Sequence, residues 1–285
     1  DASALDVVVV PADEAVGMGE RPTAALRQRP RASIKVAAAE VAAGRAAALF
    51  SAGNTGATVM AAHAAFGMLE GAERPALAVI VPTRRSPAVL LDVGATVACR
   101  PRHLVQFAAM GAVYARLVLG VERPRVGVLS IGEEETKGND LTRQAHRLLR
   151  AGRLNFTGNL EARDVFAGGA DVIGCDGFTG NIALKVSEGL VEMIGGLLGE
   201  WAAGLGDELA PRVGGELADL FRRRVDDSEY GGVSLLGVAG LALIGHGRSS
   251  ARAVRQGVLS AERLASAGFI ARLRQEIAAA GVAHR

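Results

Sequence analysis

Short apolar runs recur along the chain; each ends in a polar, glycine-bearing turn, and a stretch with apolar residues every third or fourth position follows. An apolar run of that kind reads as a buried strand, and the 3.6-residue period that follows it reads as an amphipathic helix. Ala46 to Phe50 enters Ser51-Ala52-Gly53-Asn54-Thr55-Gly56 and then a helix over Ala57 to Leu69. Val89 to Asp92 enters Val93-Gly94-Ala95-Thr96, and Arg125 to Ser130 enters Ile131 to Asn139. Ala170 to Cys175 enters Asp176-Gly177-Phe178-Thr179-Gly180-Asn181. Strand, loop and helix repeated in this way predict an α/β chain with a parallel sheet, whose loops emerge together at the carboxyl edge and meet in one cleft.

Between these units the pattern predicts further elements. Asp6 to Val10 is β-branched and reads as a strand; Pro22 opens a short helix, and Ser33 precedes an alanine-rich helix over Ile34 to Ala43 closed by Gly44. Pro75 to Val81 is a strand joined to Val89 to Asp92 by a connection too short for a helix, so the two are expected to be antiparallel neighbours. Pro101 to Leu119, Asp140 to Ala151 and Asn181 to Trp201 read as helices, Asn155 to Leu160 and Gly240 to Ile244 as strands, and Ala251 to Ala267 and Phe269 to Ala280 as closing helices. Residues 202–227 break the pattern with Gly204, Gly206, Pro211, Gly214 and Gly215, and read as a helical excursion from one single domain over residues 1–285.

Composition narrows the function classes. With 49% hydrophobic and 22% charged residues the chain has the makings of an ordinary globular core. Lys and Arg number 32 against 30 Asp and Glu, and aromatic residues are 4%, so neither a polyanion surface nor a base-stacking platform is expected, and no nucleic-acid partner. Cys99 and Cys175 stand far apart in apolar surroundings and read as buried side chains rather than a disulfide or metal site. Neither a leader nor an apolar run of roughly 18 residues is visible, which places the chain in the cytoplasm by default. A Gly-x-Gly-x-x-Gly turn, a Walker lysine, a Gly-x-Ser-x-Gly elbow and a His-Glu-x-x-His pair are all missing. What remains at the strand ends is glycine, asparagine, a few cations and carboxylates, the makings of a metal-free and cofactor-free anion site.

The motifs together resemble one family. Ser-Ala-Gly-Asn-Thr-Gly-Ala, Glu-Arg-Pro-Ala-Leu, Pro-Thr-Arg, Leu-Leu-Asp-Val-Gly-Ala and Met-Gly-x-Val-Tyr-Ala-Arg occur in the order of the bacterial phosphate acyltransferases of phospholipid synthesis, the PlsX family. Ile-Gly-Glu-Glu-Glu-x-Lys-Gly-Asn, Cys-Asp-Gly-Phe-x-Gly-Asn and Ser-Glu-Tyr-Gly-Gly complete the series. The resemblance implies a Rossmann-like three-layer core with a mostly parallel sheet, a homodimer, and transfer of a fatty acyl group from acyl carrier protein to inorganic phosphate, giving acyl phosphate. It also implies peripheral association with the inner face of the cell membrane, where a glycerol-phosphate acyltransferase would take the product. The family's opening strand and its Asp-Ala-Met-Gly-Gly-Asp loop have no counterpart here, so the chain reads as N-terminally incomplete, and a non-catalytic relative that dimerises or binds acyl carrier protein is the alternative. Thr96 and Ser130 stand where asparagine is usual. A metal-dependent hydroxyacid dehydrogenase and an acetyl-phosphate-forming transacetylase are rival enzymes for such a core.

Phosphate attacking a thioester is its own nucleophile, so the protein has to position it and stabilise charge. Lys137, Lys185, Asn139 and Asn181 are the expected catalytic residues, and Asn54, Thr55, Gly56, Arg84, Asp92, Glu134, Asp176 and His246 the expected substrate-binding ones. Each has a plainer reading. The asparagines can be turn residues, Asp92 and Asp176 can cap helices, Glu133 to Glu135 can be a solvated run, and His246 can be structural. The apolar stripe at Leu205, Leu209, Val213, Leu217, Leu220 and Phe221 beside Arg222 to Arg224 fits a bilayer-facing tip or dimer packing.

Overall fold

The structure, a computed structural model, describes residues 7–205, 213–216 and 232–279. Two helices, α1 (Pro22–Gln28) and α2 (Ser33–Ala42), precede β1 (Leu49–Ser51) and α3 (Thr55–Phe66). Strands β2 (Ala76–Val81) and β3 (Ala88–Leu91) lead to α4 (Pro101–Leu119), and β4 (Val126–Leu129) leads to α5 (Asp140–Ala151). After β5 (Phe156–Leu160) and a short 3-10 turn come β6 (Val172–Gly174), α6 (Gly177–Ala203), β7 (Val233–Leu236), β8 (Ala242–Ile244), α7 (Ala251–Ser266) and α8 (Phe269–Ala279).

The strands form one sheet in the order β1-β8-β7-β2-β3-β6-β4-β5. Strand β3 is parallel to β6, β6 to β4, β4 to β5 and β1 to β8. Strand β2 is antiparallel to both β3 and β7, and β7 to β8. The α/β, mostly parallel expectation therefore holds, and so does the antiparallel β2–β3 pair. Each face carries its own core. On one, Leu104, Phe107 and Met110 of α4 and Leu149 of α5 pack with Phe269 and Leu273 of α8. On the other lie Ala38 of α2, Val59 and Ala62 of α3, and Ala183 and Leu184 of α6. Two helical layers on a sheet bury apolar residues on both strand faces, which is why β2, β3, β4 and β6 are apolar throughout rather than alternating.

Three expectations need correction. Val7 to Val10 form no strand; they are exposed, because β-branched composition favours an extended chain but only a neighbouring strand fixes it. Strand β7 went unread, since the apolar Val233–Leu236 is short and follows glycines. Most consequential, the loops do not all leave one edge. The β2–β3 hairpin and the antiparallel β7 reverse chain polarity, so β1 and β8 end at the edge opposite to the ends of β3, β4 and β6. Of the predicted excursion 202–227, only residues 202–205 and 213–216 are among the described ones; they include Leu205 and Val213 of the apolar stripe, while its other members and Arg222 to Arg224 lie outside them.

Candidate active site

Three loops do converge. Because β3, β6 and β4 are parallel neighbours, Asp92–Thr96, Cys175–Asn181 and Ser130–Asn139 leave the sheet side by side. Helices α5 and α6 both open at this edge and turn the positive ends of their dipoles toward it; the first N–H groups of α6 are taken by Thr96 and Asp176, while those of Asp140 and Leu141 in α5 make no hydrogen bond among the described residues.

The loops are held by carboxylates used as struts. Asp92 is fully buried; its Oδ1 accepts from the N–H groups of Leu77, Gly94 and Ala95 at 2.8, 3.0 and 2.9 Å, and its Oδ2 from Thr96 at 2.6 Å. Burial pushes the Asp92 carboxyl up from the ordinary aspartate value, and the four N–H donors pull against it. With both oxygens taken and no exposure, Asp92 shapes the loop. Asp176 caps α6, its Oδ1 accepting from the Phe178 and Thr179 N–H groups at 3.1 and 2.9 Å and its Oδ2 from the Thr179 hydroxyl at 2.7 Å. The α6 terminus then presses onto the first loop: the Gly177 N–H donates to the Thr96 carbonyl at 2.9 Å, and a β-carbon on Gly180 would sit 2.0 Å from the Asp92 carbonyl oxygen. Glycine is required there by contact.

Other groups at the same edge stay open. Asn181 is exposed, lies against Gly94, and makes no side-chain hydrogen bond among the described residues. Lys137 is exposed without an ion pair among the described residues, and its side chain and that of Glu134 fold over Gly132. Asn139 is exposed and caps α5 through Oδ1, which accepts from the Thr142 N–H at 2.9 Å, while its amide nitrogen makes no hydrogen bond among the described residues. Lys185 lies on α6 one turn beyond Asn181, paired with Glu188 at 2.6 Å.

Two residues that the sequence did not single out as ligand contacts join this cluster. Ser130 Oγ and His146 Nε2 are the buried side-chain polar atoms without a hydrogen-bond partner among the described residues. Ser130 ends β4 beside Gly138, and His146 stands on α5 with its ring edge-on to Phe156 at 5.0 Å. A mid-helix histidine on an apolar face carries no distinguishing local signal; only its partner Asn159, from β5, reveals it.

The remaining predicted residues belong to the other edge. Asn54 caps α3, accepting from the Ala57 N–H at 3.0 Å, and its amide nitrogen donates to the carbonyls of Gly17, Met18 and Glu20 at 3.1 to 3.2 Å. Every polar atom of that side chain is occupied. Thr55 starts the helix, and Gly56 admits Pro22 of α1. Arg84 sits in the β2–β3 hairpin, its N–H bonded to the Phe166 carbonyl at 2.9 Å. His246 follows β8 and accepts from the Arg248 N–H at 3.2 Å through Nδ1. None of these five is brought to the loops of β3, β4 and β6. Among the described residues no group of three His, Cys, Asp or Glu side chains is placed to hold a metal.

The sequence profile of the family described as "Fatty acid synthesis protein" matches residues 2–272. The phosphate acyltransferase of Acidobacterium capsulatum is 46% identical over 284 residues, which cover 98% of this chain and 83% of the relative. That of Syntrophotalea carbinolica is 47% identical over 259 residues, 90% of this chain and 75% of the relative. In fold, the chain is similar to a phosphotransacetylase from Streptococcus pyogenes, with a TM-score of 0.56, 17% identity, and 83% and 68% of the two chains covered. It is also similar to a branched-chain phosphotransacylase from Enterococcus faecalis V583, at 0.52, 15%, 82% and 79%.

Proposed function

We propose, from the premise that this chain belongs to the fatty acid synthesis protein family of phosphate acyltransferases, that the loops of β3, β4 and β6 hold inorganic phosphate against the thioester of a fatty acyl carrier protein. The chain is an acyltransferase of phospholipid synthesis. Matches over 98% and 90% of its length to phosphate acyltransferases lend no support to a non-catalytic role.

One observation carries the choice of site: two helices open at one sheet edge with Asn181, Lys137 and the Asn139 amide unspent beside them. A phosphate dianion placed there meets two helix N-termini and an ammonium group. One phosphate oxygen attacks the thioester carbon and forms the C–O bond; the C–S bond breaks, and the carrier's thiolate leaves with a proton. Because the nucleophile is the substrate, the side chains have two tasks, to fix the phosphate oxygens and to donate to the oxyanion as it develops. Lys137 and the N–H groups of α5 suit the first task, and Asn181 the second. Lys185, already balanced by Glu188, adds a second positive charge one turn away.

The exposed side chains Phe178, Ile182, Val186, Leu190, Met193, Leu197 and Trp201 recur every three or four residues along α6. This continuous apolar stripe is the surface for a second copy of the chain, in keeping with a homodimer. Residues 202–227 are the bilayer-facing segment in this reading, and a membrane glycerol-phosphate acyltransferase receives the product. No described helix is long and apolar enough to cross a membrane. Incubation with acyl-acyl carrier protein and phosphate, followed by hydroxylamine, is expected to yield hydroxamate; its absence would overturn the activity.

A further inference from the structure

Arg74, Arg100 and Arg102 surround a cavity of about 620 Å³ whose wall is completed by Glu73, Cys99 and His103. It opens at the sheet edge of the candidate site: Arg74 precedes β2, which begins where β3 ends, and Arg100 and Arg102 stand at the start of α4. We infer that this cavity and its rim dock the acidic surface of the carrier protein that presents the acyl thioester, with the guanidinium groups facing its carboxylates and the phosphodiester of its prosthetic arm. The inference rests on the proposed acyl transfer.

Charge is the first argument. Three guanidinium groups face one carboxylate. Glu73 is already engaged, ion-paired with Arg102 Nε at 3.0 Å and lying 3.3 Å from His103 Nε2, so it fixes the wall more than it neutralises it. Arg74 and Arg100 are exposed and form no ion pair among the described residues. Exposed guanidinium groups left without carboxylates suit an acidic partner, and they act on encounter rate and orientation.

Size is the second. A free phosphate would fill on the order of one tenth of such a cavity and cannot occupy it. A protein surface can. Val97, 62% exposed and next in sequence to Ala98 of the cavity wall, adds an apolar contact of the kind found at the centre of interfaces.

Connection to the site is the third. The Thr96 carbonyl accepts from Cys99 Sγ, in the cavity wall, at 3.3 Å and from the Gly177 N–H, at the opening of α6, at 2.9 Å. The Thr96 hydroxyl donates to the Pro75 carbonyl at 2.8 Å, next to Arg74. Cavity and candidate site are two faces of one loop. A carrier seated on the arginines therefore brings its arm to the edge where phosphate is held.

The test compares the wild type with Arg100→Glu/Arg102→Glu and with Arg100→Gln/Arg102→Gln, after thermal melts establish that all three fold. Binding of fluorescently labelled carrier protein is read by anisotropy, and turnover by hydroxamate. Expected are a carrier Kd and KM raised about tenfold or more in the glutamate pair and less in the glutamine pair, wild-type binding that weakens with salt, and an unchanged KM for phosphate. Unchanged carrier binding in the glutamate pair, or a rise confined to the KM for phosphate, overturns the docking surface while the acyl transfer stands. A wild type that binds no carrier overturns it also; a wild type that binds carrier, loses it on charge reversal and yet forms no hydroxamate supports the surface and refutes the transfer.

Discussion

His146 Nδ1 lies 2.9 Å from Asn159 Oδ1, and the Asn159 amide nitrogen donates to the Glu134 carbonyl at 2.9 Å. The second bond orients the amide, so its oxygen faces the ring and a proton is assigned to His146 Nδ1. Glu135 Oε2 is 3.9 Å from that nitrogen. A buried residue of β5 thus couples α5 to the loop carrying Glu134, Glu135 and Lys137.

Asn159→Leu removes both bonds and leaves a buried N–H without a partner. Urea denaturation is expected to give a loss of about 1–3 kcal/mol. With the loop untied, the KM for phosphate should rise more than kcat falls. A variant as stable as the wild type, with unchanged KM, would show the network to be incidental.

Lys137→Ala is expected to lower hydroxamate formation by about 100-fold or more, the usual cost of losing a group that stabilises charge in the transition state. Lys185→Ala should lose less than about tenfold, because Glu188 already offsets the charge it carries. Circular dichroism should be unaltered in both. Full activity in Lys137→Ala would move the phosphate away from this edge.

Gly180→Ala forces a methyl group against the Asp92 carbonyl oxygen, where the ideal separation is 2.0 Å. Backbone cannot yield as a side chain does. A destabilisation of about 1–3 kcal/mol and a marked fall in activity are expected by thermal and kinetic measurement. Gly189→Ala, where a β-carbon on the same helix meets nothing within 4 Å, is the control and should leave activity unchanged and raise stability by up to about 1 kcal/mol.

The Cys99 thiol is pushed up to about 12, first by burial and then by the negative charges of Asp92 and Asp176. Only the thiolate is nucleophilic, so iodoacetamide near pH 8 should alkylate Cys99 at least about 100-fold more slowly in the native protein than in urea. Cys175, fully buried and shifted the same way, should behave alike. Rapid native alkylation of Cys99 would mean that its surroundings are more open and less negative.

Much of the site was legible because local chemistry dictates it. Asn139, Asp176 and Asn54 stand where a strand ends and a helix begins, and each accepts from the N–H groups that the helix start leaves free. The same local logic could not tell a cap with a spare donor, as in Asn139, from one wholly consumed, as in Asn54. That difference lies in residues Gly17 to Glu20, more than thirty positions away. His146 was missed for a related reason: its partner lies on another element, and no spacing links the two.

The sequence by itself determined the alternation of strands and helices, the apolar strands buried on both faces, the antiparallel β2–β3 pair and the family, because apolar period, turn residues and motif order are properties of neighbouring positions. Only the tertiary structure decided which loops share an edge. Strand direction depends on pairing between distant segments, and the entry of β7 between β2 and β8 sets β1 and β8 against β3, β4 and β6. Identical strand, loop and helix units thereby end on opposite edges, separating Asn54, Arg84 and His246 from Lys137, Asn139 and Asn181.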